Sequence, residues 1–397
     1  METESEGRAR GYVGTPALPS RPALSSPEAV EAPPPTPPDR AQPMVGLRGL
    51  TFLVPLFILL AFGAGGPVDS MRLLAPHTAF ALPAVAVIAF WWEDWPGSTL
   101  RAGWSGLTDT LIIAAAGIGF TCLGQGIVAG FDGDALFTAE PDPGHVPIFP
   151  HTLPLAGCVF TVLLQITLVS EGWPLRRLGR LLSGLVALAV SWGVGIAAYL
   201  LLVHLPEAVD GLRDPGGPIL SLEFSAWLTA VGAWQMIYMV ALRGWPFSKL
   251  RRRPVRLLVA NAVVVGCGWA TYLVVRDVVH TPPREVTAAC GCVIAAILLA
   301  AMLFEAWPWT RLTPLPGRFG VLGTSLAVAA LLFWALSSYA NTVDWGQVPM
   351  PDWIAYSALN VISLGIILHV AIWKRWPVLA DTGPQSPSDT SRPGSPS

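Results

Sequence analysis

Apolar residues in this chain gather into ten blocks, at 49–65, 77–92, 105–129, 152–170, 179–203, 218–242, 254–276, 287–304, 318–338 and 353–373. A helix crossing a hydrocarbon core about 30 Å thick needs about 20 mostly apolar residues, and most of these blocks come near that length. Lipid offers no partner to a bare backbone, so long apolar runs of this kind fold as helices. The expectation is an all-α integral membrane protein of ten spans. The second block is short and contains Pro83, which makes it the least regular of the ten. Of the 397 residues 53% are hydrophobic and 13% charged, too few charges to cover soluble domains of this length.

The flanks differ in kind. Residues 1–45 are rich in proline, including the run Pro33 to Pro38, and residues 378–397 are mainly Ser, Pro and Asp. Neither has the apolar content to fold alone, so both read as disordered tails around a membrane domain at 46–377. Extended polyproline can engage SH3-like or WW-like grooves, but a solvated tail is the simpler reading. No block carries the basic flank and small-residue cleavage site of a signal peptide. The longest outer connection, about 131–151, is too short for a soluble domain.

Charge sets the orientation. Twelve of the 24 Lys and Arg residues lie in linkers after even-numbered spans, among them Arg176, Arg177, Arg180 and the cluster from Arg243 to Arg256. Four occupy the opposite linkers: Arg72, Arg213, Arg276 and Arg284. Five lie at the N-terminal flank and three follow the last span. The excess of basic residues on one side predicts that both termini are cytoplasmic. The abundance of Arg, Ala, Gly and Pro is associated with GC-rich bacterial genomes, which points to a bacterial plasma membrane.

The ends of the even spans read alike: Glu93-Asp-Trp-Pro96, Glu171-Gly-Trp-Pro174, Arg243-Gly-Trp-Pro246, Glu305-Ala-Trp-Pro308 and Lys374-Arg-Trp-Pro377. A charged residue always stands two before the Trp. In four copies a Leu stands five after it: Leu100, Leu178, Leu250 and Leu312. Trp favours the membrane interface and Pro forbids continuing the helix, so Trp95, Trp173, Trp245, Trp307 and Trp376 read as interface anchors. A brief interfacial segment would follow each one. A docking or gating surface made of five such corners is the functional alternative. Gly117-Ile-Gly119, Gly193-Val-Gly195 and Gly266-Cys-Gly268 recur in the odd spans, with Ala327-Val-Ala329 at the matching place in the ninth. Small residues there would let helix backbones approach closely. A unit of two spans returns to its starting side, so the expectation is five parallel two-helix repeats about an axis along the membrane normal.

Few residues within the spans carry chemistry. Asp109 and Glu223 are the acidic residues inside them and His369 the histidine. Intramembrane ionisable groups are candidates for ion or proton movement, although these lie near span ends, where snorkelling to the headgroups is cheap. Gln165, Ser191, Gln235, Asn261 and Asn360 lie nearer the midplane, where polar residues commonly bond between helices. On the outer side His77, His145, His151, His204 and His280 lie among Asp and Glu residues, including Asp69, Asp132, Asp134, Glu140, Asp142, Glu207, Asp210, Asp214 and Asp277. Imidazole with carboxylate suits zinc, copper or iron. His145 and His151 share one connection, with Asp142 or Glu140 as carboxylate partner. None of them forms a tight local metal motif. The five Cys residues read as small buried side chains, since Cys290-Gly-Cys292 is not a redox C-x-x-C pair.

The chain shows no P-loop, no nucleophile elbow, no paired-carboxylate motif and no motif for a cofactor. A net charge of −2 argues against nucleic acid as a partner. The bilayer itself is the implied partner, with protein partners conceivable at the tails or cytoplasmic corners. Three function classes remain. The first is a permease-like transporter or channel for a small solute or ion, since nearly all the mass lies in the membrane and a ring of repeats encloses an axis. The second is a non-catalytic subunit or scaffold of a membrane complex. The third is a membrane enzyme or metal-binding protein using the outer His and acidic groups.

Overall fold

The computed structural model describes residues 42–205, 211–346 and 348–378. The tails beyond these bounds, together with Glu207 and Asp210, lie outside the described residues. The chain is almost wholly helical. Among the described residues nine helices are long and apolar enough to cross a membrane: α1 (Met44–Phe62), α2 (Pro67–Trp91), α3 (Gly103–Val128), α5 (Arg180–Leu202), α6 (Ser221–Ala241), α7 (Arg253–Asp277), α8 (Pro283–Leu303), α9 (Pro314–Ala340) and α10 (Met350–Ile372). The shorter apolar helix α4 (Leu153–Val169) lies between α3 and α5. The block expected at 77–92 is the C-terminal part of a helix that starts at Pro67. Its first turns contain Asp69 and Arg72 and read as a linker by hydropathy alone. A parallel bridge between β1 (Val203–His204) and β2 (Ile219–Leu220) ties the end of α5 to the start of α6.

The helices pack in two shells. α2, α4, α6 and α8 follow one another around a centre, α10 packs beside α8, and α10 also touches α2, which closes the inner shell. The odd helices lie outside. Of the apolar stretches of α2, α6, α8 and α10, 56% to 78% is buried, against 22% to 33% for α1, α3, α5, α7 and α9. The exposed outer surface is built of residues such as Trp104, Leu201, Leu258, Leu331 and Trp334, a composition suited to lipid contact. The inner helices α6 and α8 pack closely, and so do four successive pairs: α2 with α3, α4 with α5, α6 with α7 and α8 with α9. Each is joined through a Trp-Pro segment. Pairing each odd span with the even span after it, as the sequence suggests, is therefore not the division along which the helices pack most closely.

Every Trp-Pro segment has the same local geometry. The peptide bonds Trp95-Pro96, Trp173-Pro174, Trp245-Pro246, Trp307-Pro308 and Trp376-Pro377 are all cis. Before each, the helix widens into a π turn, at Val87–Trp91, Gln165–Val169, Met236–Ala241, Leu299–Leu303 and Leu368–Ile372. The charged residue two before the Trp takes a left-handed conformation in every copy, with φ between 49° and 53° (Glu93 51°, Glu171 53°, Arg243 50°, Glu305 52°, Lys374 49°). The next residue does the same, and in two copies it is glycine: Gly172 and Gly244. These conformations aim backbone N–H groups back at the open carbonyls of the last turn. Asp94 N–H donates to the Ile88 carbonyl, Gly172 to Ile166, Gly244 to Tyr238, Ala306 to Ala300 and Arg375 to His369. A helix end in lipid would otherwise leave those carbonyls unpaired.

Close approach between the shells depends on glycine. A Cβ on Gly195 would lie 2.6 Å from Val159 Cγ2, and one on Gly268 would lie 2.5 Å from Val231 Cγ2 and 2.8 Å from its Cα. A Cβ on Gly117 would meet the His77 carbonyl at 2.9 Å. The other glycine of each pair, at 119, 193 and 266, has nothing within 4 Å. One member of each Gly-x-Gly thus serves packing and the other does not. Overpacking a tight contact of this kind costs about 1–3 kcal/mol. Gly268→Leu should therefore lower the thermal stability of the detergent-purified protein clearly, while Gly266→Leu, two residues away, should leave it nearly unchanged. Equal losses for the two variants would contradict this packing.

Candidate functional site

The inner shell encloses a cavity of about 580 Å³. Side chains from all five even helices line it. It reaches from Arg284, Asp352 and His151, near the first turns of α8, α10 and α4, to Phe90, Leu168, Val240 and Met302, near the last turns of α2, α4, α6 and α8. At 1.5 Å per residue the stretch from Leu222 to Val240 of α6 alone covers roughly 27 Å, most of a hydrocarbon core. The volume is therefore drawn out along the axis of the bundle. Its wall is mainly Ala, Leu, Met and Phe, with Thr161, Ser225, Thr229, Thr287, Asn360 and Ser363 spaced along it.

One ion pair stands at the end of the cavity opposite the Trp-Pro segments. Arg284 Nε lies 3.3 Å from Asp352 Oδ1. Both residues open their helices and both line the cavity. Sequence reading placed Arg284 in a linker and Asp352 one residue before a span. Nothing in their local patterns marks them as facing one another. His151 lines the same end, and burial lowers its pKa from the ordinary imidazole range.

The transport candidates from sequence lie elsewhere. Asp109 is fully buried against the first Trp-Pro segment. Its Oδ1 accepts the Gly97 N–H at 3.0 Å, while its Oδ2 is buried without a hydrogen-bond partner. Glu223 is partly exposed and pairs with Arg276 at 3.7 Å. His369 is buried with its ring stacked on Phe52, centroids 4.9 Å apart. None of the three lines the cavity.

Gln165, Gln235 and Asn261 are brought together. Gln235 Nε2 donates to Gln165 Oε1 at 2.7 Å and to the Thr161 carbonyl at 3.0 Å. Gln165 Nε2 donates to Asn261 Oδ1 at 3.0 Å, and Asn261 Nδ2 donates to Ser170 Oγ at 3.1 Å. The chain of bonds ties α4 to α6 and to α7. Asn360 Nδ2 donates to the Ala75 carbonyl at 2.9 Å and to Thr78 Oγ1 at 3.1 Å, which joins α10 to α2.

The outer histidines separate into different settings. His145 Nδ1 lies 2.9 Å from Asp132 Oδ2, and its Nε2 lies 4.0 Å from Asp134. The hydrogen bond and charge of Asp132 raise the pKa of His145. Asp132, Asp134 and His145 can each offer one ligand atom within 4.8 Å of the others, a set in which Asp134 is exposed and the other two are half-buried. His151 is not part of that grouping. His77 Nδ1 is 2.8 Å from the Leu73 carbonyl, and His204 Nδ1 is 2.9 Å from Asp214 Oδ2. His280 is exposed with φ 60°.

The Trp residues of the five segments differ in setting. Trp95 stands edge-on to Trp92, Trp245 packs edge-on to Phe319, and Trp376 stacks on Trp373. Trp173 and Trp376 are 42% and 37% exposed, whereas Trp307 is partly buried. No protein-family model, curated protein or solved structure matches this chain.

Proposed function

We propose that this is a permease-like protein of the plasma membrane that takes an apolar small molecule into the cavity between its five even-numbered helices. The observation that carries the reading is the cavity itself, long, axial and lined mainly by apolar side chains. A bare or hydrated ion would find too few polar atoms along that wall to replace its water. An apolar solute loses little on leaving the acyl chains and gains contact on every side, as mainly apolar binding cavities provide. The Arg284–Asp352 pair stands where such a solute would meet the aqueous boundary. In this reading five parallel two-helix repeats surround the membrane normal, with the five Trp-Pro segments and both termini on the cytoplasmic side.

Two experiments test it. Gly157 and Gly232 both line the cavity, and a Cβ at either would make ordinary contacts, with Leu228 at 3.9 Å and Ile294 at 3.4 Å. Gly157→Leu and Gly232→Leu should therefore fill the space without disturbing the helix packing. Binding of the neutral apolar dye N-phenylnaphthylamine to the purified protein should weaken by about tenfold in each, equivalent to about 1.4 kcal/mol. Unchanged dye binding in both variants, with the fold intact, would refute the cavity as a binding site. For orientation, single Cys residues at positions 98, 140 and 248 in a Cys-free background should be labelled by an impermeant reagent in intact cells at 140 alone. Labelling of 248 from outside would reverse the assigned topology.

A further inference from the structure

The charged residue that precedes each Trp by two has a partner of opposite sign at four of the five segments. Glu93 pairs with Arg180 at 3.5 Å, and Glu171 with Arg256 at 2.8 Å and Arg253 at 3.3 Å. Glu305 pairs with Arg375 at 2.8 Å and Lys374 with Asp94 at 3.2 Å. The third segment breaks the pattern. Arg243 stands there in place of an acid, and the basic residue of the outer helix is kept: Arg318, in the first turns of α9. Among the described residues neither arginine has an ion-pair partner. Both line one recess of about 300 Å³, walled also by Trp309, Leu312 and Gly317.

Two arginines lining one recess leave it strongly positive unless an anion enters it. A protein acid could have filled that role, as it does at the neighbouring segments. Exposed apolar side chains instead lie nearby in the chain: Leu312 just before α9, and Leu315 and Phe319 in its first turns, are 49%, 43% and 47% exposed. We propose that this recess binds the phosphate group of an anionic phospholipid, with Arg243 and Arg318 on the phosphate and the acyl chains along the face bearing Leu315 and Phe319. Planar guanidinium matches phosphate geometry, and basic recesses between transmembrane helices suit lipid headgroups. The contact rests on the side chains. Pro314 and Pro316 remove two of the N–H groups that a helix start would otherwise offer to an anion. The site is separate from the central cavity and stands or falls independently of it.

The test uses the full chain, delipidated in detergent and examined by native mass spectrometry with added phosphatidylglycerol or phosphatidylcholine. The wild type should retain phosphatidylglycerol in preference to phosphatidylcholine, and millimolar inorganic phosphate should not displace it. Arg243→Gln and Arg318→Gln should each weaken retention about fivefold, the effect of removing one basic residue near an anionic headgroup. Arg243→Glu, which supplies the missing acid to Arg318, should abolish the preference. Arg243→Lys should keep most of it, separating lost charge from lost fold, and Arg180→Gln at an already paired segment should change nothing. Equal retention of the two lipids by the wild type, or undiminished retention by Arg243→Glu, would overturn the site. Displacement by inorganic phosphate would overturn the lipid as its source.

Discussion

A helix that ends inside or at the edge of a bilayer must find donors for the carbonyls of its last turn, because lipid supplies none. Five helices here meet that demand with one device. The helix widens to a π turn, two residues swing into left-handed conformation, and an N–H returns to a carbonyl six residues back before the cis Trp-Pro bond turns the chain. Four of the five charged residues at the first left-handed position then find a counter-charge on a neighbouring element. In four of the five copies the device joins an inner helix to the outer helix that packs against it. Left-handed conformations cost non-glycine residues of order 1 kcal/mol each. The returned hydrogen bonds and the ion pairs offset that cost.

Packing in lipid then decides what remains at the centre. Without a hydrophobic drive between helices, association depends on close contact and interhelical hydrogen bonds. Gly117, Gly195 and Gly268 bring outer helices onto inner ones. The Gln235–Gln165–Asn261 chain and the Asn360–Thr78 bond tie inner helices to each other and to the outer shell. Around the centre the side chains facing inward are mostly small or flexible: Ala75, Ala79, Ala86, Gly157, Gly232, Met236 and Met302. Five helices around an axis with small inward residues leave a space that is long, narrow and apolar.

Much of this was legible in the chain because hydropathy and helix-end chemistry are local. The apolar blocks fall within the observed helices or a few residues beyond their ends, and the recurrence of Trp-Pro marks the ends of the even helices. Gly172 and Gly244 were the visible sign of left-handed backbone before the Trp, although Asp94, Ala306 and Arg375 take the same conformation without that sign. The start of α2 was hidden because Asp69 and Arg72 resemble a linker. The cavity was hidden for a deeper reason. Apolar residues lining an axial cavity and apolar residues on the outer surface look alike in sequence, so hydropathy cannot tell Leu228 inside from Leu258 outside. Asp109 stood out as an intramembrane charge, but its role in holding Gly97 depends on a turn twelve residues earlier. Arg284 and Asp352 looked like ordinary end charges because their pairing is long-range.

The account depends on closure of the inner shell, where the last helix meets the second. Asn360 on α10 and Thr78 on α2 lie within hydrogen-bond distance at 3.1 Å, although they are 282 positions apart in the chain. The direct measurement is oxidative cross-linking in native membranes of a Cys-free protein carrying Thr78→Cys and Asn360→Cys. The closed shell predicts an intramolecular disulfide in high yield for this pair, and little for Thr78→Cys combined with Gly232→Cys across the cavity. No cross-link between 78 and 360, or an equal yield for the pair across the cavity, would contradict the closed ring.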